Sequence, residues 1–173
     1  MIGSLHAFFH RARPAVVVAL AVVVVICLKL FADWRAALAP HGTPDARFWY
    51  GPVELREMLS AFTPEQRAQY ARTVVTVDIV FPAAYGSLLA ILAAWSFTGR
   101  RSRQLVLLPL AAAVADAGEN AINASLAWSY PNGPWELGYV SGALTTTKWT
   151  AVSAIALLLA GAALKKLARR LFG

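Results

Sequence analysis

One cysteine, three histidines and nine acidic residues are spread over 173 positions. Each scarcity excludes something. A single cysteine, Cys27, permits neither a disulfide framework nor a CxxC pair within the chain, so cysteine usage leaves the redox compartment open. The histidines, His6, His10 and His41, lie outside the long apolar runs. A zinc or haem site buried among those runs would therefore have little to bind with, and no metal and no cofactor is expected. Glycine-rich nucleotide fingerprints, a nucleophile elbow and HExxH are all missing. Charged residues make up 14% of the chain, against about 25% in soluble domains.

What remains is apolar. Hydrophobic residues reach 58%, collected into runs that predict an all-α bundle of four transmembrane helices at 14–33, 73–97, 104–128 and 141–164. The first run is Val-rich and follows Arg11 and Arg13. A signal peptide is the rival reading, with Ala37-Leu38-Ala39 as cleavage box. The run exceeds a usual signal core, and Pro40 would follow the cut, so it is read as an uncleaved helix. The formal charge of +7 does not predict nucleic-acid binding, because the basic residues sit at the ends of spans.

The charges also predict orientation. The N-terminal segment, the connection 98–104 and the C-terminal tail carry Arg11, Arg13, Arg100, Arg101, Arg103, Lys165, Lys166, Arg169 and Arg170, with no acid. The other two connections balance Arg35, Arg47, Arg56, Arg67 and Arg72 against Asp45, Glu54, Glu57, Glu65 and Glu136. Both termini are therefore expected in the cytoplasm. Trp34, Trp128, Trp135 and Trp149 would mark the outer boundary, and Trp95 the inner one.

Segment 34–72 is the one long polar stretch. Gly51-Pro52 predicts a helix start, followed by Leu55, Met58, Leu59 and Phe62 on one face. Thr63 and Gln66 form a capping box for a second helix that continues through Tyr70 into the membrane. The segment is read equally as a lid over a site and as a loop packed on the bundle.

Polar residues inside the spans carry the functional signal. Asp78, Pro82 and Tyr85 share one face of the second span. Pro82 has no N–H, so the Asp78 carbonyl must find a partner outside its own helix. Asp116, Glu119, Asn120 and Asn123 follow i, i+3, i+4, i+7 spacing on the third span. Lys148 on the fourth follows Thr145, Thr146 and Thr147. At a rise of about 1.5 Å per residue, these groups fall at similar heights in the outer half of the bilayer, with Asp116 nearer the midplane. Such groups are costly in lipid and mark function by default. Lys29, near a span end, is read as snorkelling to the interface.

One ion pair would suffice to tie helices together. Three acids against one lysine leave surplus negative charge, which lipid requires to be met by protons or a cation. The first expectation is a pocket between helices two, three and four, opening outward, that binds a lipid-like or cationic amphiphilic molecule through Asp78, Tyr85, Asn120, Asn123 and Lys148. The second is a lipid-modifying isomerase, cyclase or hydratase with Asp116 and Glu119 as catalytic acid and base. The third is proton- or cation-coupled transport by a homodimer, for which Ala111, Ala115, Gly118, Gly142 and Gly161 would permit close helix contact. Membrane lipids are expected partners in every case.

The set Tyr70, Asp78, Pro82, Tyr85-Gly86, Asp116, Glu119-Asn120 and Lys148-Trp149 resembles small uncharacterised bacterial membrane proteins with four predicted helices. The resemblance covers about residues 50–150. It implies a multi-pass protein of a bacterial inner membrane and carries no activity. The acid-lined bundle is similar, by analogy alone, to membrane sterol isomerases and terpene cyclases.

Overall fold

Within a bilayer no water is available to backbone N–H and C=O groups, so an apolar run satisfies them internally by folding as a helix. In a computed structural model, which describes residues 2–38, 42–97, 99 and 102–172, all regular structure is helical. Ala39 and Pro40 of the alternative cleavage site, with His41, Arg100 and Arg101, lie outside the described residues. The helices are α1 (Ile2–His10), α2 (Pro14–Leu38), α3 (Pro52–Ala61), α4 (Pro64–Val74), α5 (Val77–Ser96), α6 (Leu107–Trp128) and α7 (Leu137–Phe172). Short 3-10 turns at Pro44–Ala46 and Ser102–Val106 complete the order. Four stretches are long and apolar enough to cross a membrane: Pro14–Ala36, Pro64–Ser96, Arg103–Trp128 and Leu137–Phe172. That is the build of a multi-pass membrane protein.

Start signals act as the sequence predicts. Gly51 caps α3, where its N–H donates to Glu54 Oε2 at 2.9 Å, and Pro52 occupies the first turn. Thr63 caps α4 reciprocally. The Gln66 N–H donates to Thr63 Oγ1 at 3.3 Å, and the Thr63 N–H to Gln66 Oε1 at 2.9 Å. Leu55, Met58, Leu59 and Phe62 are all buried. A turn at Val75–Thr76 separates α4 from α5, and there the Thr76 hydroxyl donates to the Arg72 carbonyl at 2.7 Å.

Helical structure exceeds the expected spans in three places, one of them the end of α2, which runs to Leu38 and not 33. The segment before Pro14 is itself helical: Trp95 Nε1 donates to the His10 carbonyl at 3.1 Å, and His6 Nε2 lies 3.0 Å from the Phe97 carbonyl oxygen. Helix α7 begins at Leu137, before the expected 141, and runs unbroken for 36 residues. No proline or glycine pair interrupts it.

Helix α6 is central and packs against α4, α5 and α7, while α2 lies against α5. At one end of the bundle, the loop end, an aromatic core gathers Phe31, Trp34, Tyr50, Phe62 and Tyr70. The Trp34 and Tyr70 rings stack there at 5.7 Å. The α3–α4 hairpin is held to the connection between α6 and α7 by Arg67 over the Tyr130 ring at 4.2 Å and Arg56 over Trp135 at 5.5 Å. At the other end, the terminal end, the core is built from Phe9, Ala90, Ile91, Ala93, Ala94, Val106 and Ile155.

Candidate functional site

The site begins with two glycines on α7. A Cβ on Gly138 would stand 2.7 Å from Pro52 Cα, and one on Gly142 would overlap the Tyr50 carbonyl oxygen. Without side chains there, the segment 48–52 lies directly on the helix. The Thr146 hydroxyl pins it further by donating to the Phe48 carbonyl at 3.0 Å. Gly142, which suits contact between copies or packing within the chain equally, is covered by its own chain, while Gly161 has nothing within 4 Å of an added Cβ.

This docking drives the Tyr50 side chain into the bundle, where 1% of the residue stays exposed. Its hydroxyl lies 2.8 Å from Glu119 Oε1 and 2.7 Å from Ser141 Oγ. Asn123 Nδ2 donates to it at 2.9 Å, and the Ser141 hydroxyl donates to Asn123 Oδ1 at 2.7 Å. Burial above all holds the Tyr50 hydroxyl above the usual tyrosine range.

On the other side of Glu119 stands Lys148. Its ammonium donates to Glu119 Oε2 at 2.7 Å and to Asp116 Oδ1 at 3.0 Å, and the remaining Asp116 oxygen, Oδ2, accepts from the Tyr85 hydroxyl at 3.1 Å. The expected meeting of Asp116, Glu119 and Lys148 is present. Pro82 also acts as its chemistry requires: the carbonyl of Asp78 that it frees accepts from Asn120 Nδ2 at 2.8 Å. By contrast, Lys29 pairs with Asp33 at 2.5 Å on the outer face of α2, away from this cluster.

A cavity of about 270 Å³ adjoins the cluster. Asp78, Tyr85, Asp116 and Lys148 line it, together with Leu28, Phe31 and Arg35 of α2, Phe81, Leu89, Trp149 and Val152. Its position differs from the expected one. Helix α2 forms one wall, because the Leu28, Phe31, Arg35 face turns toward α5, and the segment under Tyr50 is filled with side chains. Glu119, Asn120 and Asn123 are 0% exposed and stand behind Lys148 and Tyr50, not in the cavity wall.

No family model matches this chain, and neither a curated protein nor a solved structure matches it. The reading of the site therefore rests on its own chemistry.

Three participants were not singled out as site residues in the sequence. Tyr50 belongs to a loop, and nothing local places it inside the bundle. Arg35 reads in sequence as one of the balanced charges of that loop, although it follows Phe31 by one helical turn. Ser141 shares the i, i+4, i+7 face of Thr145 and Lys148, a signal that was available. With Arg35 included, the ionisable groups around the cluster are three acids and two cations, which reduces the surplus expected from the sequence. Among the described residues, no group of three or more His, Cys, Asp or Glu is placed to hold a metal ion.

Proposed function

We propose that the protein sits in a bacterial inner membrane with both termini in the cytoplasm, and that it binds a small amphiphilic, lipid-like molecule in the cavity between α2, α5, α6 and α7. One observation carries this: a cavity of about 270 Å³ whose wall joins Leu28, Phe31, Leu89 and Val152 to Arg35, Asp78, Asp116 and Lys148. A mostly apolar wall with a few convergent polar groups is the usual form of a small-molecule site. The volume lies just under the common range of about 300–1,000 Å³, so it suits a polar end and the first part of a chain. The basic residues at both termini support the orientation.

Binding is favoured over acid–base turnover because the two candidate catalytic carboxyls are not presented together. Asp116 borders the cavity, but Glu119 is sealed behind Lys148 and Tyr50. An acid and a base acting on one substrate would both need to reach it.

Native mass spectrometry of protein extracted in mild detergent tests the proposal. Wild type should carry a small amphiphile, and Val152→Trp, which fills the cavity from α7, should lose it while keeping the helical circular dichroism of wild type. A wild-type protein that carries nothing, or a Val152→Trp protein that keeps the ligand, would overturn the site.

A further inference from the structure

The contacts around Tyr50 can be counted hydrogen by hydrogen. Four short polar contacts join Tyr50, Ser141, Asn123 and Glu119: Tyr50–Glu119 at 2.8 Å, Tyr50–Ser141 at 2.7 Å, Tyr50–Asn123 at 2.9 Å and Ser141–Asn123 at 2.7 Å. Each contact needs one hydrogen between its heavy atoms. The Tyr50 hydroxyl supplies one and the Ser141 hydroxyl another. The Asn123 amide, bound here through one nitrogen and one oxygen, supplies a third. Turning that amide over exchanges its donor and acceptor but leaves the count at three. Two oxygens 2.7 Å apart with no hydrogen between them repel through their lone pairs. The remaining partner in the set is Glu119 Oε1.

We infer that Glu119 is held as the neutral acid, its O–H directed from Oε1 to Tyr50, and that the neighbouring cavity selects an amphiphile whose polar end is uncharged. The fourth hydrogen then completes a cycle. Glu119 donates to Tyr50, Tyr50 to Ser141, Ser141 to Asn123 Oδ1, and Asn123 Nδ2 to Tyr50. Glu119 Oε2 is left as a carbonyl oxygen that accepts from Lys148, in keeping with their 2.7 Å separation.

Charge balance around the cavity gives the ligand class, and this part rests on the amphiphile reading above. The groups facing Glu119 and the cavity are Arg35 on α2, Asp78 and Tyr85 on α5, Asp116 on α6, Lys148 on α7 and Tyr50 from the loop. With Glu119 neutral, Arg35 and Lys148 balance Asp78 and Asp116. A cationic or anionic end would bring an uncompensated charge into a low-dielectric site, whereas a hydroxyl or carbonyl meets donors and acceptors already in place. The cationic amphiphile expected from the sequence follows from three acids against one lysine. Arg35 and the Glu119 hydrogen remove that surplus.

Two measurements test the inference. Infrared spectra at neutral pH should show the carbonyl stretch of a protonated carboxyl in wild type and lose it in Glu119→Gln. Glutamine keeps the shape and offers an N–H to Tyr50, so this variant folds. Binding in lipid nanodiscs is then compared for decanol, decyltrimethylammonium and decyl sulfate, with Val152→Trp nanodiscs as the control for partitioning into lipid. Decanol should bind at least about ten-fold more tightly than either ion, a difference of about 1.4 kcal/mol. Absence of the carboxyl band, or its persistence in Glu119→Gln, overturns the neutral acid. A band present with an ionic probe binding tightest overturns the ligand class. A band present with no probe exceeding the control upholds the neutral acid and overturns the amphiphile reading.

Discussion

The two ends of the bundle are assembled by different means. At the loop end, α6 and α7 meet through Lys148, Asp116, Glu119, Asn123 and Ser141, and a loop tyrosine fills the space between them. At the terminal end, Ala90, Ala93 and Ala94 let α5 approach its neighbours closely, side-chain hydrogen bonds lie at its edge with α1 through Trp95 and His6, and Gly86 sits so close to α6 that an added Cβ would stand 2.7 Å from Ala113 Cβ and 3.2 Å from the Pro109 carbonyl oxygen. Lipid tails are as apolar as leucine, so the terminal end gains little from hiding apolar surface and relies on shape. The loop end relies on directional contacts, which fail abruptly when one partner is lost. The contrast separates a region built to be close from a region built to be specific.

The sharpest way to break it is Lys148→Met. Removing the ammonium leaves Asp116 in lipid without that partner and should cost about 3–5 kcal/mol, as stranding one member of a buried pair usually does. Thermal or denaturant melts in detergent measure it; a loss below about 1 kcal/mol would mean that the charges do not hold the loop end.

Next come paired glycine substitutions, one at each end. Gly142→Ala and Gly86→Ala should each cost about 1–3 kcal/mol by overpacking. They differ in consequence. Gly142→Ala must push the Tyr50 backbone off α7, so limited proteolysis should cut within residues 42–51. Gly86→Ala should leave that segment protected. Equal protection in both variants would show that the loop is not seated by Gly142.

Much of this division was legible in the sequence. Periodic spacing put Asp116, Glu119, Asn120 and Asn123 on one face, and the missing N–H of Pro82 foretold a partner for the Asp78 carbonyl, found in Asn120. The Thr63–Gln66 cap was equally readable, because capping depends on residues three apart. Tyr50 was not readable, since its burial depends on two glycines about 90 residues away in sequence whose smallness has no local signature. Arg35 is hidden for a simpler reason: the apolar run ends before it, yet the helix continues to Leu38. The cavity wall could not be assigned either, because nothing in α2 alone says which neighbour it meets.

A smaller effect sharpens the role of Tyr50. Its hydroxyl is held above the ordinary value by burial, whereas the unfolded chain ionises it near about pH 10. The folded state thus keeps the proton longer. Stability from Tyr50 should be complete below that pH and decline above it. The advantage of wild type over Tyr50→Phe should shrink by about 1.4 kcal/mol per pH unit as pH rises past about 10. A difference that does not change with pH would place the hydroxyl in water.

The smallest expected effect is Glu119→Gln. If Glu119 already carries a hydrogen, the amide replaces it contact for contact, and melts should match wild type within about 1 kcal/mol. A loss as large as that of Lys148→Met would instead make Glu119 the anionic partner of the lysine.

Sequence order adds a constraint in time. The ammonium that meets Asp116 and Glu119 lies 32 and 29 residues after them. At about 5–20 residues per second, a ribosome makes Lys148 roughly 1.5–6 s after those acids. Through that interval α6 has no α7 beside it, and Tyr50 has no surface on which to dock. The acids of α6 must therefore wait, either carrying protons or held at the watery mouth of the insertion machinery, until the last helix arrives and the tyrosine can close over them.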